Sequence, residues 1–434
     1  MPIDVSKYHY LNCVLIEAYK RGLFCKGVIN GACDCNWIKE YELFYNKQPN
    51  SKPHVQRLLF NISGKKGKTA KAGFVNIRPV TDGSEVTETY LIPPKDLSPP
   101  RAYIKCLDTH DIYGEKIVCV PFVMPESIFG MCIHASIWIC LKILESRGMI
   151  DEVPTIPEIQ ILATGRPYTD KQGLVFVQAS RLLRMCRTNA FYINNREDVL
   201  NDNAMILQLY AYIESGLPVI LGVDTADVKW WKTTKHTYHS IVAIGHTMKD
   251  NKVDGFIMHD ESSLPYQVMT KRQLLSAWHK KNQKLPESFI RESLVAVPPE
   301  VSLPFHEAYH GFDKMLRTLR AMGVIDGDID ALQFRPMLKE PNILYFETRN
   351  TCLFRALREA GFPKYVWVMY FYNEGDDLNK AKGFFVRDAT MQTEFIFAYV
   401  RSKGTAIYQL DSGKTYQRWD SRQNRKRIRK VAQS

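Results

Sequence analysis

The chain has 434 residues, 45% of them hydrophobic and 24% charged, and a formal net charge of +12. That composition is sufficient for a sizeable core and two or three domains, and it excludes a wholly disordered chain. The first residues carry no basic segment followed by an apolar one. The longest apolar run, near Cys132, is interrupted by His134 and Lys142 and falls short of the ~20 residues a membrane span needs. These features predict a soluble, cytoplasmic protein without a membrane span.

The positive charge is concentrated in two places. Residues 414–430 hold eight basic residues and one acid, Asp420, and the loop at 65–71 adds Lys65, Lys66, Lys68 and Lys71, which leaves the remainder close to neutral. A nucleic acid or another polyanion would make its contact there, weakly and through the C-terminal tail above all; a solvated tail and a solvated hairpin loop are the plainer alternatives.

In chain order, periodicity predicts a helix at 8–21 and a second amphipathic stretch at 37–45, then strands at 55–62, 72–78 and 86–92. Cys13, Cys25, Cys33 and Cys35 fall in this part, but their spacing lacks paired two-residue knuckles, so free thiols are expected rather than zinc. The proline-rich segment 93–100 marks a boundary. A strand at 116–123 leads into the turn before Cys132, and a long apolar helix follows. A helix at 177–185 comes next. Strands at 238–246 and 253–260 form a hairpin. After a second proline-rich boundary at 297–304 come helices at 306–321 and 350–360 and strands at 366–372, 383–388 and 394–400. The predicted organisation is α+β throughout: an accessory unit at 1–100, a core at 101–300, and a C-terminal unit with a basic tail at 301–434. No dinucleotide or phosphate-loop fingerprint occurs, so no cofactor and no metal are expected.

Three residues carry the chemistry. Cys132 follows Gly130 and Met131 and opens the apolar helix, where unpaired N–H groups and the positive helix end favour the thiolate. With the hairpin turn centred on Lys249 and Asp250, His239 lies opposite Asp260, on one sheet face with Cβ atoms about 5 Å apart. A carboxylate beside an imidazole fixes its tautomer and stabilises the imidazolium formed when it takes a thiol proton. The loop between Asp224 and Tyr238 holds Trp230, Trp231 and three lysines, and is placed to line a cleft together with Gly130 and Tyr238. His134, His246 and His259 are expected to be structural.

The order of Cys at a helix start, His at a strand start and Asp at the end of the next strand resembles the papain-like cysteine peptidases. Ala163-Thr164-Gly165, the stretch Leu217-Pro218-Val219-Ile220 after Gly216, Pro265-Tyr266, and Leu274, Leu275 and Trp278 extend the likeness. It is nearest to the bacterial branch of double-glycine leader peptidase domains and covers roughly 117–298. The resemblance implies a papain-like core, a bacterial origin, a peptide or protein substrate, and a Cys132–His239–Asp260 triad acting through a thioester. It also implies an oxyanion-hole glutamine six residues before the nucleophile. Here that position is Glu126, and a carboxylate accepts hydrogen bonds where a donor is required. The backbone N–H of Cys132 can supply one donor and Ser127 or a loop amide another; the alternative is that Glu126 is a solvated turn residue outside the oxyanion hole. Three classes remain open: an amide or peptide hydrolase, an inactive papain-like scaffold for binding or regulation, and a thioester acyltransferase.

Overall fold

The computed structural model describes residues 41–45, 56–63, 69–80, 83–95, 97–112, 114–123, 131–166, 173–196, 201–231, 233–261, 264–281, 289–321, 323, 325, 332–348, 362–373, 381–391, 396–400, 405–409, 415–420 and 425–430. The helices expected at 8–21 and 350–360 lie outside these residues, as do Cys13, Cys25, Cys33, Cys35, Glu126, Ser127 and Gly130.

The described residues form an α+β structure with three antiparallel sheets. The first part contains β1 (Tyr41–Tyr45), β2 (Gln56–Ser63), β3 (Thr69–Val80), β4 (Gly83–Leu91), β5 (Ala102–Ile104), β6 (Asp108–Ile112) and β7 (Glu115–Phe122). Six of these make a sheet in the order β1-β2-β3-β4-β7-β6, and β5 joins the second sheet instead. Two expectations change here. The end of the amphipathic stretch at 37–45 is a strand, because Tyr41, Leu43, Phe44 and Tyr45 are strong strand formers with β2 available as a partner. The first sheet also continues past the proline-rich segment as far as Phe122.

The middle part runs α1 (Cys132–Ser146), α2 (Ile156–Thr164), α3 (Phe176–Met185), β8 (Asn189–Arg196), α4 (Asp202–Glu214), β9 (Val219–Asp224), a 3-10 turn (Thr225–Asp227), β10 (Tyr238–Lys249), β11 (Lys252–Asp260), β12 (Leu264–Thr270), α5 (Lys271–Ala277), β13 (Lys280–Lys281) and β14 (Phe289–Val297). Its sheet is ordered β12-β11-β10-β9-β14-β13, with β5 on β10 and β8 on β14. Helix α1 lies against β10, and Ile133, Ile137, Ile139, Leu141, Ile143 and Leu144 are all buried. Each such side chain contributes on the order of 2 kcal/mol, so the start of α1 is held firmly above the centre of the sheet. No helix among the described residues is long and apolar enough to cross a membrane.

The last part contains α6 (Phe305–Ala321), β15 (Leu332–Lys339), α7 (Pro341–Thr348), β16 (Val366–Asn373), β17 (Gly383–Asp388), β18 (Ile396–Val400), β19 (Thr405–Gln409), β20 (Thr415–Asp420) and β21 (Arg425–Lys430), whose strands form a simple meander. Alternation along β16 sends Trp367, Met369 and Phe371 into the main core and Val366 and Val368 into a smaller cluster on the other face. The segment expected as a solvated tail is instead drawn into this meander. Thr415–Asp420 pairs residue by residue with Arg425–Lys430, with the basic run in the outermost strand.

Candidate active site

Cys132 is the first residue of α1, after Met131 as N-cap, and no side chain caps that end. The thiol therefore sits where first-turn N–H groups favour negative charge. Strand β10 starts six residues before the buried pair Ile244 and Gly245 and carries His239 in its second position, 6% exposed. Two close approaches fix this end of β10. Gly222 on β9 leaves the room that the Tyr238 hydroxyl fills, since a Cβ there would lie 1.7 Å from the oxygen. Tyr238 then donates to Glu292 Oε2 at 2.6 Å.

The hairpin differs in detail from the sequence-based register. Asp250 and Asn251 both have positive φ, as a two-residue type I′ turn requires, and Lys249 pairs with Lys252. The turn is thus one residue later than expected. Two irregularities, at Ala243/Gly245 and Thr247/Met248, shift the pairing and then restore it, so that Val242 lies opposite His259. Continued by one residue, this register sets Ile241 opposite Asp260, with His239 diagonal to it. The displacement is an even number of residues, so His239 and Asp260 still share a face.

His239 Nε2 donates to Asp260 Oδ1 at 3.0 Å. The other carboxylate oxygen, Oδ2, accepts the indole N–H of Trp230 at 2.6 Å and that of Trp231 at 2.7 Å. Asp260 is thus a fully buried carboxylate with three donors around it, and the Trp231 ring also rests 5.0 Å from the imidazole. Trp230 and Trp231, expected to line a cleft, serve here to hold the carboxylate. With Nε2 taken by Asp260, Nδ1 is the nitrogen left for the thiol. Sγ of Cys132, a ring nitrogen of His239 and a carboxylate oxygen of Glu261 all lie within 4.8 Å of one another.

Glu261 and Ser240 are the residues that the sequence reading did not single out. Glu261 is fully buried, and its Oε1 lies 3.6 Å from His239 Nε2. Successive strand residues normally face opposite ways, but β11 ends at Asp260, and its pairing with β12 slips between Met258 and Asp260, which brings both carboxyls toward the imidazole. Ser240 reaches Cys132 through its hydroxyl and backbone N–H. It also meets Ser136, one helical turn beyond Cys132, with 3.2 Å between the hydroxyls.

The electrostatics follow from these contacts. Burial opposes the Cys132 thiolate, but the His239 hydrogen bond and charge, with Ser240, outweigh it and bring the thiol down to about 7. Burial also opposes the His239 imidazolium, yet Glu261, Asp260 and Cys132 hold it well above the ordinary histidine range. Burial pushes the Glu261 carboxyl well above the usual carboxylate range, against the pull of the His239 imidazolium. A thiolate–imidazolium pair with a carboxylate behind it can attack a carbonyl carbon and return a proton to the leaving group. The same Cys132, His239 and Glu261 atoms are also close enough to share a metal ion.

The remaining histidines have other partners. His134 Nε2 meets Gln160 Oε1 at 2.6 Å, His246 Nε2 meets Glu214 Oε2 at 2.7 Å, and His259 packs edge-on against Phe122 and Tyr266. A cavity of about 240 Å³ lined by Tyr210, Met248, Phe334, Arg335 and Tyr372 opens at the far end of β10, away from the thiol. Among known proteins, no family model and no curated sequence matches the chain.

Proposed function

We propose that this chain is a cysteine-dependent hydrolase of amide or peptide bonds on a papain-like core. Cys132 attacks the carbonyl carbon, and the electron pair of the C=O bond moves onto oxygen. Collapse of that intermediate expels the amine, which takes its proton from His239, and leaves a thioester. His239 then removes a proton from water, the resulting hydroxide attacks the thioester, and Cys132 departs as thiolate. Asp260 orients His239 and stabilises the imidazolium, held in turn by Trp230 and Trp231. Bacterial origin and a peptide or protein substrate belong to this reading through the family resemblance. The Cys132 N–H serves as one oxyanion donor in this reading, with Ser127 or a loop amide as the second.

The observation that supports the reading best is the thiol at an uncapped helix start, lowered to about 7 by a histidine that is itself bonded to a buried carboxylate. The test is labelling of the intact chain by an electrophilic peptide-type probe, with the modified peptide identified by mass spectrometry, followed by product analysis on peptide libraries. Labelling at Cys132 that disappears in His239→Ala, together with release of free carboxylate product, is the expected result. Products joined to an added amine would make the chain an acyltransferase, and no labelling above that of His239→Ala would make it an inactive scaffold.

A further inference from the structure

The cavity of about 240 Å³ at the far end of β10 is enclosed by three stretches distant in sequence: the first two turns of α4, the β10–β11 hairpin and the edge strand β15. Its wall combines two kinds of side chain. Tyr210, Phe334 and Tyr372 supply aromatic rings, Lys252, Lys271 and Arg335 supply positive charge, and no acidic residue lines it among the described residues. Arg335 is only partly neutralised by its partner. Its Nε donates to Glu214 Oε1 at 2.8 Å, but the same oxygen also accepts the Lys105 ammonium at 3.1 Å. One carboxylate thus faces two cations, and burial holds His246, on the other oxygen, toward the neutral form. The ion network behind the wall therefore keeps a net positive charge.

Size narrows the choice of ligand. The volume equals that of about eight waters at ~30 Å³ each and falls below the ~300–1,000 Å³ of pockets that take drug-sized molecules. A single ring system with one short acidic arm fits such a space better than a nucleotide does. Aromatic side chains receive a flat ring in edge-on or offset stacking, and guanidinium and ammonium groups bind a carboxylate through charge-assisted hydrogen bonds. Gln333 adds a polar group to the same wall, and its amide nitrogen and oxygen are both buried with no partner among the described residues. A buried amide left unpaired costs about 1–3 kcal/mol, which an acceptor brought in by a ligand offsets.

We propose that this cavity binds a small aromatic carboxylate, with its ring among Tyr210, Phe334 and Tyr372 and its carboxylate toward Arg335, Lys252 and Lys271. A ligand so held touches the middle sheet through Lys252 and the last part of the chain through β15, and its binding fastens the two together. The site is separate from the thiol and holds whether or not Cys132 is a nucleophile.

The experiment is a ligand-observed NMR titration of the full chain with phenylacetate and with indole-3-acetate, using phenylacetamide as the neutral counterpart, and with hydrogen exchange read by mass spectrometry to locate the bound molecule. Saturable binding of at least one of the carboxylates with a Kd on the order of 1 mM or tighter is expected, with the amide at least ~10-fold weaker and new protection confined to 203–210, 248–253 and 332–335. Replacing both rim lysines, Lys252→Gln with Lys271→Gln, should weaken binding about tenfold at an unchanged melting temperature. Gln333→Leu should also weaken it, while the ligand-free chain melts at the same temperature or higher because an unpaired amide has been removed. The proposal is overturned if neither carboxylate saturates below about 10 mM, if phenylacetamide binds as well as phenylacetate, if protection appears elsewhere, or if the lysine variant binds like the parent chain.

Discussion

Strand β10 carries two buried histidines bonded to carboxylates, His239 at one end and His246 near the other, and the two have opposite electrostatics. His246 is 2% exposed and sits beside Glu214, which also accepts two N–H groups of Arg335, one at 2.8 Å, and the ammonium of Lys105 at 3.1 Å. Burial lowers His246. Burial would raise Glu214, but His246, Arg335 and Lys105 bring it down to about 2. The groups facing His239 are instead Asp260, Glu261 and the Cys132 thiol, and its affinity for a proton rises. Where arginine and lysine already balance the carboxylate, the imidazole stays neutral and ties the middle sheet to β15. Where the neighbours are acidic, the imidazole must supply the positive charge itself, which makes it able to share a proton with a thiol.

The contrast breaks most visibly at the thiol. Cys132→Ala and His239→Ala should each reduce turnover by ~10⁴-fold or more while the melting temperature of Cys132→Ala stays near that of the parent chain; a stable hydrolase lacking the thiol would remove the basis of the assignment. The opposite pattern is expected at the other histidine. Glu214→Gln leaves Arg335 and Lys105 without their anion and should destabilise the fold by about 3 kcal/mol, measured by urea unfolding, with labelling of Cys132 unchanged. The folded-state value of Glu214 lies below its unfolded value of 4.5, so its contribution is complete above about pH 4.5 and fades as pH falls toward 2. The gap between the parent chain and Glu214→Gln should close over that window, and a gap constant from pH 6 to pH 3 would contradict the ion network.

Smaller effects sharpen the account of the carboxylate. Asp260→Asn keeps an oxygen for the imidazole and should reduce turnover by no more than about 10²-fold. Trp230→Phe and Trp231→Phe each remove one indole donor at little change in volume, and a loss of about tenfold or less is expected for each. Equal activity of both tryptophan variants and the parent, measured on the same substrate, would return these side chains to the role of cleft lining.

The positions of Cys132 and His239 were legible in the sequence because they follow from local rules: a glycine turn before an apolar helix, and a β-rich run after a polar loop. Asp260 was placed on the correct face even though the turn lies at Asp250 and Asn251, since moving a hairpin turn by one residue moves the pairing by two. Other features could not be read locally. The tryptophan contacts join residues about thirty positions apart through an irregular loop, and Glu261 faces His239 only because strand alternation stops at a bulged end. The basic run at 425–430 hid a strand, because its charges obscure the period-two pattern by which strands are recognised.

If Cys132 and His239 form the proposed thiolate–imidazolium pair, the rate of iodoacetamide modification at Cys132 must report it in its dependence on pH. Peptide-resolved mass spectrometry isolates this thiol from Cys106, which burial pushes up to about 12, and from Cys140, which burial also raises. In the parent chain the rate should rise with a midpoint at about 7, and in His239→Ala the midpoint should move up toward or beyond the ordinary thiol value of 9. A midpoint near 9 in both chains would show that the thiol does not sense the histidine and would contradict the account.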